Sequence, residues 1–260
     1  MASKLNARRK TMLDLLSQKP ISSTQELAAA TGVSTETTRK DLNVLAEQGL
    51  IVKVHGGAAL ASGNNKQIPF DLRSTRNAPQ KRQIAQKAIT LIEEGDSLIL
   101  EGCTTNLKLA EELTLMPDLL KTLVIVTNSF PIATVLEGGR KCQKLFFLGG
   151  LVNPTQYATQ GNQTTEMLGN FHVNKSFLGG AAVSERFILT GYFDDDVMFQ
   201  KMSILCARET VLMVDSSKFG QSAILSVAHL SEIDYLVTDK QLTEEETRIL
   251  TEHGLKILLA

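Results

Sequence analysis

Residues 21–57, ISSTQELAAATGVSTETTRKDLNVLAEQGLIVKVHGG, decide how the N-terminal part of the chain folds. Ser23-Thr24-Gln25-Glu26 has the spacing of a capping box, in which the serine hydroxyl and the glutamate carboxylate each satisfy a backbone N–H left free at a helix start. A first helix carrying Leu27, Ala28 and Ala30 follows. Gly32 supplies the left-handed turn at its end, Val33 fills the gap between helices, and Ser34 caps a second helix. That helix puts Leu42, Val44 and Leu45 on an inner side and Thr35, Thr37, Thr38, Arg39 and Lys40 in its first two turns. Beyond Gly49, the run from Leu50 to His55 alternates loosely and stops at Gly56-Gly57, the pattern of a short hairpin wing.

A helix of this kind enters the major groove by its N-terminal end, where threonine hydroxyls and arginine meet base edges and lysine meets phosphate. Thr35, Thr37, Thr38, Arg39 and Lys40 are therefore the candidate DNA contacts, with Lys53 and His55 reaching the backbone from the wing. Taken singly these pieces are ordinary, since capped helix pairs occur in many domains and two adjacent cations usually mark a solvated face. Their combined spacing reads as a winged helix-turn-helix.

Val33-Ser34, Thr37-Thr38-Arg39-Lys40-Asp41-Leu42, Leu45, Gly49 and His55-Gly56-Gly57 resemble the DNA-binding domain of DeoR-type sugar-metabolism repressors. Thr38 stands where that family usually has isoleucine. Facing inward it packs less tightly than isoleucine; facing outward it is free to read DNA.

The 260 residues, 43% hydrophobic and 21% charged, suit a small domain followed by a larger one. The formal net charge of −1 is unevenly divided: up to Ala61 there are eight Lys+Arg against five Asp+Glu, a balance of +3, and beyond it nineteen against twenty-three, a balance of −4. A weakly basic head on a mildly acidic body fits a DNA reader that needs two or more heads, a homo-oligomer such as a dimer or tetramer, for firm binding. The first ten residues lack the apolar core of a secretory signal, and no run approaches a membrane span. Cys103, Cys142 and Cys206 are odd in number and widely spaced, which argues for reduced thiols in a cytoplasm; neither a metal site nor a cofactor is expected.

A helix over residues 6–19 carries Met12, Leu13, Leu15 and Leu16, with Arg8, Arg9 and Lys10 toward solvent and Pro20 at its end. The expected organisation is a winged helix-turn-helix over residues 1–60, a linker over 61–79 whose segment around Phe70, Leu72 and Arg73 docks onto the second domain, and an effector-binding and oligomerisation domain over 80–260. In that last part, short aliphatic runs at 98–100, 123–126, 145–148, 177–178, 211–214, 235–237 and 256–259 alternate with helical stretches. Such runs suit parallel strands covered on both faces, hence an open, mainly parallel α/β sheet that takes its ligand at the C-terminal strand ends.

At those ends stand Glu101-Gly102-Cys103-Thr104-Thr105-Asn106, Thr127-Asn128-Ser129, Gly149-Gly150, Gly179-Gly180, Asp215-Ser216-Ser217-Lys218 and Thr238-Asp239. Each alone is an ordinary turn or cap. Converging on one sheet edge they point to a small polar anion, with Thr104-Thr105 at a helix start offering free donors to a phosphate and Lys218 adding a cation. This half resembles the sensor domain of the DeoR-type family, similar in fold to ribose-5-phosphate isomerase. The resemblance puts Thr104 and Thr105 in the phosphate loop, Lys218 near the phosphate, and Asn128, Gly149 and Gly150 along the pocket. Glu101 and Cys103 depart from the family's aspartate and glycine and should reshape the sugar end; Cys103 beside a helix start is also a redox candidate, with steric replacement the plainer account.

The rival reading is a working sugar-phosphate isomerase with a regulatory head. Enediol chemistry needs a carboxylate base and an oxyanion stabiliser. Where the isomerases carry an acidic motif and then a lysine, this chain has Gly179-Gly180-Ala181-Ala182 and Thr190-Gly191, so a non-enzymatic sensor of a phosphorylated sugar is expected. Glu185 and Asp194-Asp195-Asp196 read as a helix N-terminus, and His55, His172, His229 and His253 are too scattered for a metal. A third reading, in which the large domain only oligomerises, stays open. The expected function is a DNA-binding transcriptional repressor of carbohydrate genes, bound to double-stranded operator DNA and governed by that sugar.

Overall fold

The computed structural model describes residues 2–18, 21–47, 50–54, 56–60, 68–137 and 142–260, and the chain divides into two units, Met1–Arg76 and Asn77–Ala260. In the first unit α1 (Ala2–Gln18) precedes β1 (Ile21–Ser23), α2 (Thr24–Thr31), α3 (Thr35–Glu47) and the hairpin β2 (Ile51–Val54) and β3 (Gly57–Leu60). The capping box forms as its spacing requires: Ser23 Oγ accepts from Glu26 N at 3.2 Å and Ser23 N donates to Glu26 Oε2 at 2.8 Å. Gly32, at φ 66° and ψ 27°, closes α2 in the left-handed conformation that glycine adopts without a Cβ clash. Met12, Leu13, Leu16, Leu27, Leu42, Leu45, Ile51 and Ala58 make the core beneath.

The wing's three strands run antiparallel in the order β1-β3-β2. Gly57 sits where β3 crosses β1 so closely that a Cβ there would stand 2.2 Å from the Ser22 carbonyl oxygen. Two expectations change in this unit. Arg8 and Arg9 do not simply face solvent: their Nε atoms donate to Asp41 Oδ2 and Oδ1 at 2.6 and 2.9 Å. The segment around Phe70 is a helix, α4 (Phe70–Thr75), that belongs to the first unit: Leu72 packs on the core just described, and Thr75 Oγ1 donates to Asp14 Oδ1 at 2.7 Å. Residues 61–67 of the expected linker lie outside the described residues.

The second unit is built on a parallel sheet of β4 (Ser97–Leu100), β5 (Val124–Thr127), β6 (Lys144–Phe147), β9 (Val173–Leu178), β12 (Ala207–Met213), β14 (Tyr235–Thr238) and β15 (Lys256–Leu259), in the order β15-β14-β12-β9-β4-β5-β6. These strands coincide with the seven apolar runs; the five inner strands β4, β5, β9, β12 and β14 are largely covered on both faces, and a doubly covered strand has no polar side to show, while the edge strands β6 and β15 stay partly exposed. α5 (Ala78–Ala88), α6 (Thr104–Thr114) and α8 (Phe130–Glu137) bury Ile84, Leu109, Leu113, Ile132 and Leu136 against Leu98, Leu100, Ile125 and Phe177. On the other face, α9 (Asn162–Leu168), α10 (Asp194–Cys206) and α11 (Glu244–Glu252) contribute Leu168, Phe199, Val197 and Leu250. A short helix α7 (Pro117–Leu120), a hairpin of β7 (Leu151–Asn153) and β8 (Ala158–Gln160), and an antiparallel set of β10 (Ala182–Val183), β11 (Ile188–Gly191) and β13 (Leu225–His229) complete the described α-helices and strands. From β4 the chain first steps outward to β5 and β6, then returns to the far side of β4 and continues through β9, β12, β14 and β15. The reversal falls between β4 and β9, and an open α/β sheet has its ligand crevice outside the C-terminal ends of the strands at such a point.

Candidate DNA-reading face and ligand crevice

Ser34 starts α3 with its hydroxyl, Oγ accepting from Thr37 N at 3.2 Å and lying 3.0 Å from Thr37 Oγ1. Thr35, Arg39 and Lys40 are exposed, and Thr37 is half-buried. Thr38 is fully buried at 0% exposure, its Oγ1 donating to the Ser34 carbonyl oxygen at 3.1 Å, so it faces the core and is removed from the DNA contacts. Lys40 Nζ lies 3.2 Å from Glu36 Oε1 in an exposed i,i+4 pair, weak enough to exchange for a phosphate. Lys53 on β2 donates to Asn43 Oδ1 at 2.8 Å, which joins wing to helix. Asn43, four residues after Arg39 and exposed, belongs to the same face, and helical period alone could have found it. His55 lies outside the described residues.

Beneath this face Asp41 is 2% exposed and holds both arginines of α1. Burial pushes its carboxyl up, but the hydrogen bonds and charges of Arg8 and Arg9 outweigh it and leave Asp41 below the usual carboxylate range. The pair fixes α3 to α1, so the orientation of the DNA face rests on an ion pair between elements far apart in sequence.

In the second unit Glu101, Gly102 and Cys103 follow β4, and Gly179 follows β9, so the two loops flank the switch point. Glu101, 8% exposed, spans it: Oε2 accepts from Gly179 N at 2.7 Å, and Oε1 accepts from Gln200 Nε2 of α10 at 2.7 Å. The carboxylate therefore ties the two loops and a helix together. Gln200 escaped the sequence reading; as a polar residue in the buried stripe Val197, Gln200, Ser203 it was detectable in principle.

Cys103 is the N-cap of α6, its Sγ accepting from Asn106 N at 3.4 Å, and the sulfur lies 2.7 Å from where a Cβ on Gly179 would stand. Thr104 and Thr105 occupy the first turn of α6, whose N–H groups have no partner within the helix and carry its positive end. Asn128 bridges neighbouring loops: Oδ1 accepts from Gly102 N at 2.9 Å and Nδ2 donates to the Thr159 carbonyl at 2.8 Å. Glu101, Cys103, Thr104, Thr105 and Asn128, all buried, thus come together with Gly179 at the C-terminal ends of β4, β5 and β9.

The remaining candidates stand apart. Gly149 and Gly150 follow β6, with Thr164 Oγ1 donating to the Gly149 carbonyl at 2.7 Å. Lys218 ends a turn after β12 that Asp215 caps through Ser217 N at 3.1 Å and that Asp239 holds through Ser216 N at 2.6 Å. Four strand spacings separate β6 from β12 in the sheet order, roughly 19 Å at about 4.8 Å each, so the glycines and the lysine flank the β4–β9 switch point from opposite sides. Burial pushes the Cys142 and Cys206 thiols above their ordinary pKa, and among the described residues no group of His, Cys, Asp and Glu is arranged to hold a metal. No helix among them is long and apolar enough to cross a membrane.

Residues 8–64 match the DeoR-like helix-turn-helix domain, and residues 76–240 match the DeoR C terminal sensor domain. The chain is 29% identical over 248 residues to the HTH-type transcriptional repressor GlcR of Bacillus subtilis, covering 95% of this chain and 93% of that protein. It is 31% identical to the lactose phosphotransferase system repressor of Staphylococcus epidermidis, over 87% of this chain and 88% of that one, and 29% identical to the glycerol-3-phosphate regulon repressor of Escherichia coli, over 98% and 99%. A solved ribose 5-phosphate isomerase A from Methanocaldococcus jannaschii superposes with a TM-score of 0.41 at 19% identity, over 55% of each chain. This chain belongs to the DeoR family of helix-turn-helix transcriptional regulators, with a DNA-binding domain at its N-terminus and a sensor domain after it.

Proposed function

We propose that this protein is a cytoplasmic repressor of carbohydrate transport or catabolism genes, that it binds operator DNA as a homo-oligomer, and that a phosphorylated sugar or sugar derivative in the second unit sets its DNA affinity. Thr35, Thr37, Arg39 and Lys40 read the operator, together with Asn43 and Lys53, and His55 contacts the backbone from the wing. The observation that carries the reading is the exposed face of α3, where Arg39, Lys40 and Asn43 lie side by side next to Lys53 of the wing. A base-reading arginine flanked by a phosphate-binding lysine is the pairing that major-groove recognition uses.

The effector takes the crevice between β4 and β9, its phosphate against the N–H groups of Thr104 and Thr105 at the start of α6. Lys218 reaches in from the β12 side; Asn128, Gly149 and Gly150 bound the other. The Glu101 carboxylate, held by Gly179 and Gln200, organises these loops and is not the base of an isomerase. Relatives named as repressors of sugar-linked regulons support the same reading.

The test has two arms. The purified chain is mixed with DNA from its own gene neighbourhood in a gel shift at low salt, and a panel of pentose and hexose phosphates is screened for a rise in melting temperature, since a ligand bound only to the folded state must stabilise it. Retention on DNA that a stabilising sugar phosphate alters is expected. A chain that ignores that DNA, or that interconverts the sugar phosphates at enzymatic rates, overturns the proposal.

A further inference from the structure

α4 ends at Thr75 and α5 begins at Ala78, so Arg76 and Asn77 alone join the last helix of the first unit to the first helix of the second. Each helix is anchored in its own unit. Thr75 Oγ1 donates to Asp14 of α1 at 2.7 Å, and Ile84, Ala85 and Ala88 of α5 pack into the core under the parallel sheet. Asn77 departs from an ordinary helix cap. An asparagine at that position usually has an extended backbone and accepts, through its side chain, from an N–H of the first turn. Asn77 instead has φ 49° and ψ 36°, in the left-handed region, and its side chain makes no cap bond. The amide is spent elsewhere: Nδ2 donates to Asp215 Oδ1 at 2.9 Å and to Ser217 Oγ at 3.1 Å, across 138 and 140 residues of sequence.

We propose that Asn77 is a positioning residue that latches the Asp215–Lys218 turn to the junction with the DNA-binding head, so that the state of the turn is passed to the point where the chain enters the second unit. The proposal rests on the reading of Lys218 as a contact to a sugar phosphate and supplies that contact with a route outward. Asp215 is 2% exposed, and its Oδ1 accepts from Asn77, from Ser217 N at 3.1 Å and from Ser217 Oγ. Asn77, Asp215 and Ser217 thus close a ring of hydrogen bonds, and Lys218 N, donating to the Asp215 carbonyl at 3.0 Å, continues it to the lysine. The other side of the turn is held by Asp239, which accepts from Ser216 N at 2.6 Å and Ser216 Oγ at 3.2 Å.

The Asn77 side of this clamp has the properties of a switch. Asn77 is exposed, so water takes over its hydrogen bonds at little cost when the turn shifts. Asparagine also tolerates the left-handed region better than other residues with a side chain, and the extended cap conformation is its alternative. Two backbone wells therefore compete, and the bonds to Asp215 and Ser217 favour the left-handed one. Residues at the ends of elements are where hinges absorb such changes of φ and ψ. With Arg76 the single residue between Asn77 and α4, a change at Asn77 reaches the head without a flexible linker to dissipate it.

The test compares Asn77→Gly and Asn77→Asp with wild type in the full-length chain. Glycine adopts the left-handed conformation without strain and carries no amide, so Asn77→Gly removes the latch and keeps the backbone geometry accessible. Asn77→Asp keeps the size of the side chain but sets a carboxylate against Asp215. DNA retention is measured by gel shift with and without each member of the pentose and hexose phosphate panel, and sugar-phosphate binding is followed separately by melting temperature. Against a wild-type coupling factor of about 5 to 150, Asn77→Gly is expected to bind DNA without sugar within about twofold of wild type, to be stabilised by the same sugar phosphate, and to lose about fivefold or more of the factor. Asn77→Asp loses the factor likewise and binds the sugar phosphate about tenfold more weakly, because Asp215 is displaced. Amide exchange at Ser217 and Lys218 is expected to be faster in both variants. A residue that only props the fold would lower the melting temperature and leave the ratio untouched. Asn77→Gly with an undiminished factor, or with exchange at Ser217 and Lys218 no faster than wild type, overturns the latch alone. A wild type whose DNA retention no member of the panel alters overturns the sugar-phosphate reading itself.

Discussion

Replacing Asp41 by asparagine tests how the DNA-reading face is held. Asp41 is 2% exposed and accepts from Arg8 and Arg9 at 2.6 and 2.9 Å. Each hydrogen bond to a charged group contributes about 1.5–3 kcal/mol. The arginine side chains remain 21% and 20% exposed, so water recovers part of the loss when the carboxylate goes. A net destabilisation of about 3 kcal/mol for the first unit is expected, large beside the roughly 4–11 kcal/mol that a unit of this size possesses. The chain has no tryptophan, and its tyrosines, Tyr157, Tyr192 and Tyr235, all lie in the second unit, so intrinsic fluorescence does not report the head. Amide hydrogen exchange of α1 and α3 does, and about 3 kcal/mol corresponds to exchange faster by on the order of 100-fold in those helices. Because the folded-state pKa of Asp41 is lowered, its contribution is fully present above the unfolded value of about 3.9 and fades as pH falls through the folded value. The difference between wild type and Asp41→Asn is therefore expected to be constant from neutral pH down to about pH 5 and to shrink in more acid solution. A difference below about 0.5 kcal/mol at neutral pH, or one that persists unchanged at pH 2, refutes the reasoning.

Other perturbations separate the two halves of the molecule. Arg39→Ala is expected to weaken operator binding by about 1–3 kcal/mol in a gel shift while sugar-phosphate stabilisation persists; Lys40→Ala weakens binding to all sequences alike and lowers the salt slope by about one. Lys218→Ala should weaken the stabilising sugar phosphate by about 10- to 100-fold in a thermal titration, leaving effector-free DNA binding unchanged. Gly57→Ala drives a methyl into the Ser22 carbonyl, and with only backbone there to move, the head should lose about 1–3 kcal/mol, read as faster exchange in the wing.

What the sequence revealed and what it hid follow from the range over which each signal acts. The helix pair and the wing were legible because capping boxes, left-handed glycines and alternating apolar residues act over three to six positions. The inner parallel strands were legible because covering both faces removes polar residues from the run, as in Leu98–Leu100 and Val211–Met213; the edge strands at 144–147 and 256–259 were legible by their apolar residues although partly exposed. The hairpin β7–β8 was not, since Leu151 and Val152 show no alternation of burial. Nor was the Arg8–Arg9–Asp41 cluster, whose partners stand more than thirty residues apart and leave no periodic trace. Phe70–Thr75 sat in polar surroundings that resembled a linker, and only the packing of Leu72 assigns it to the head. The residues at strand ends could be found individually, but the strand order that sets Gly149–Gly150 and Lys218 on opposite flanks is a long-range property of the sheet.

The Glu101 clasp also bounds how large a regulatory effect this architecture can produce. A ligand switches a protein only by the difference in its affinity for two arrangements, and coupling free energies are typically about 1–3 kcal/mol. That is the worth of one or two hydrogen bonds to a charged group, and two such bonds, from Gly179 N and Gln200 Nε2, meet on Glu101 at the switch point. A ligand oxygen seated at Gly179 N competes with Glu101 Oε2 for the same donor, and a displaced carboxylate no longer fixes Gln200. Freeing or tightening α10 in this way is how effector binding is expected to reach DNA affinity. In an oligomeric reader the half-sites on DNA lie one helical turn apart, about 34–36 Å, and helix docking tolerates little error, so a small change suffices to alter affinity. Glu101→Ala, which removes the clasp, should therefore leave both DNA binding and sugar-phosphate binding measurable yet reduce the factor by which one alters the other; an undiminished factor would show that the signal travels by another route.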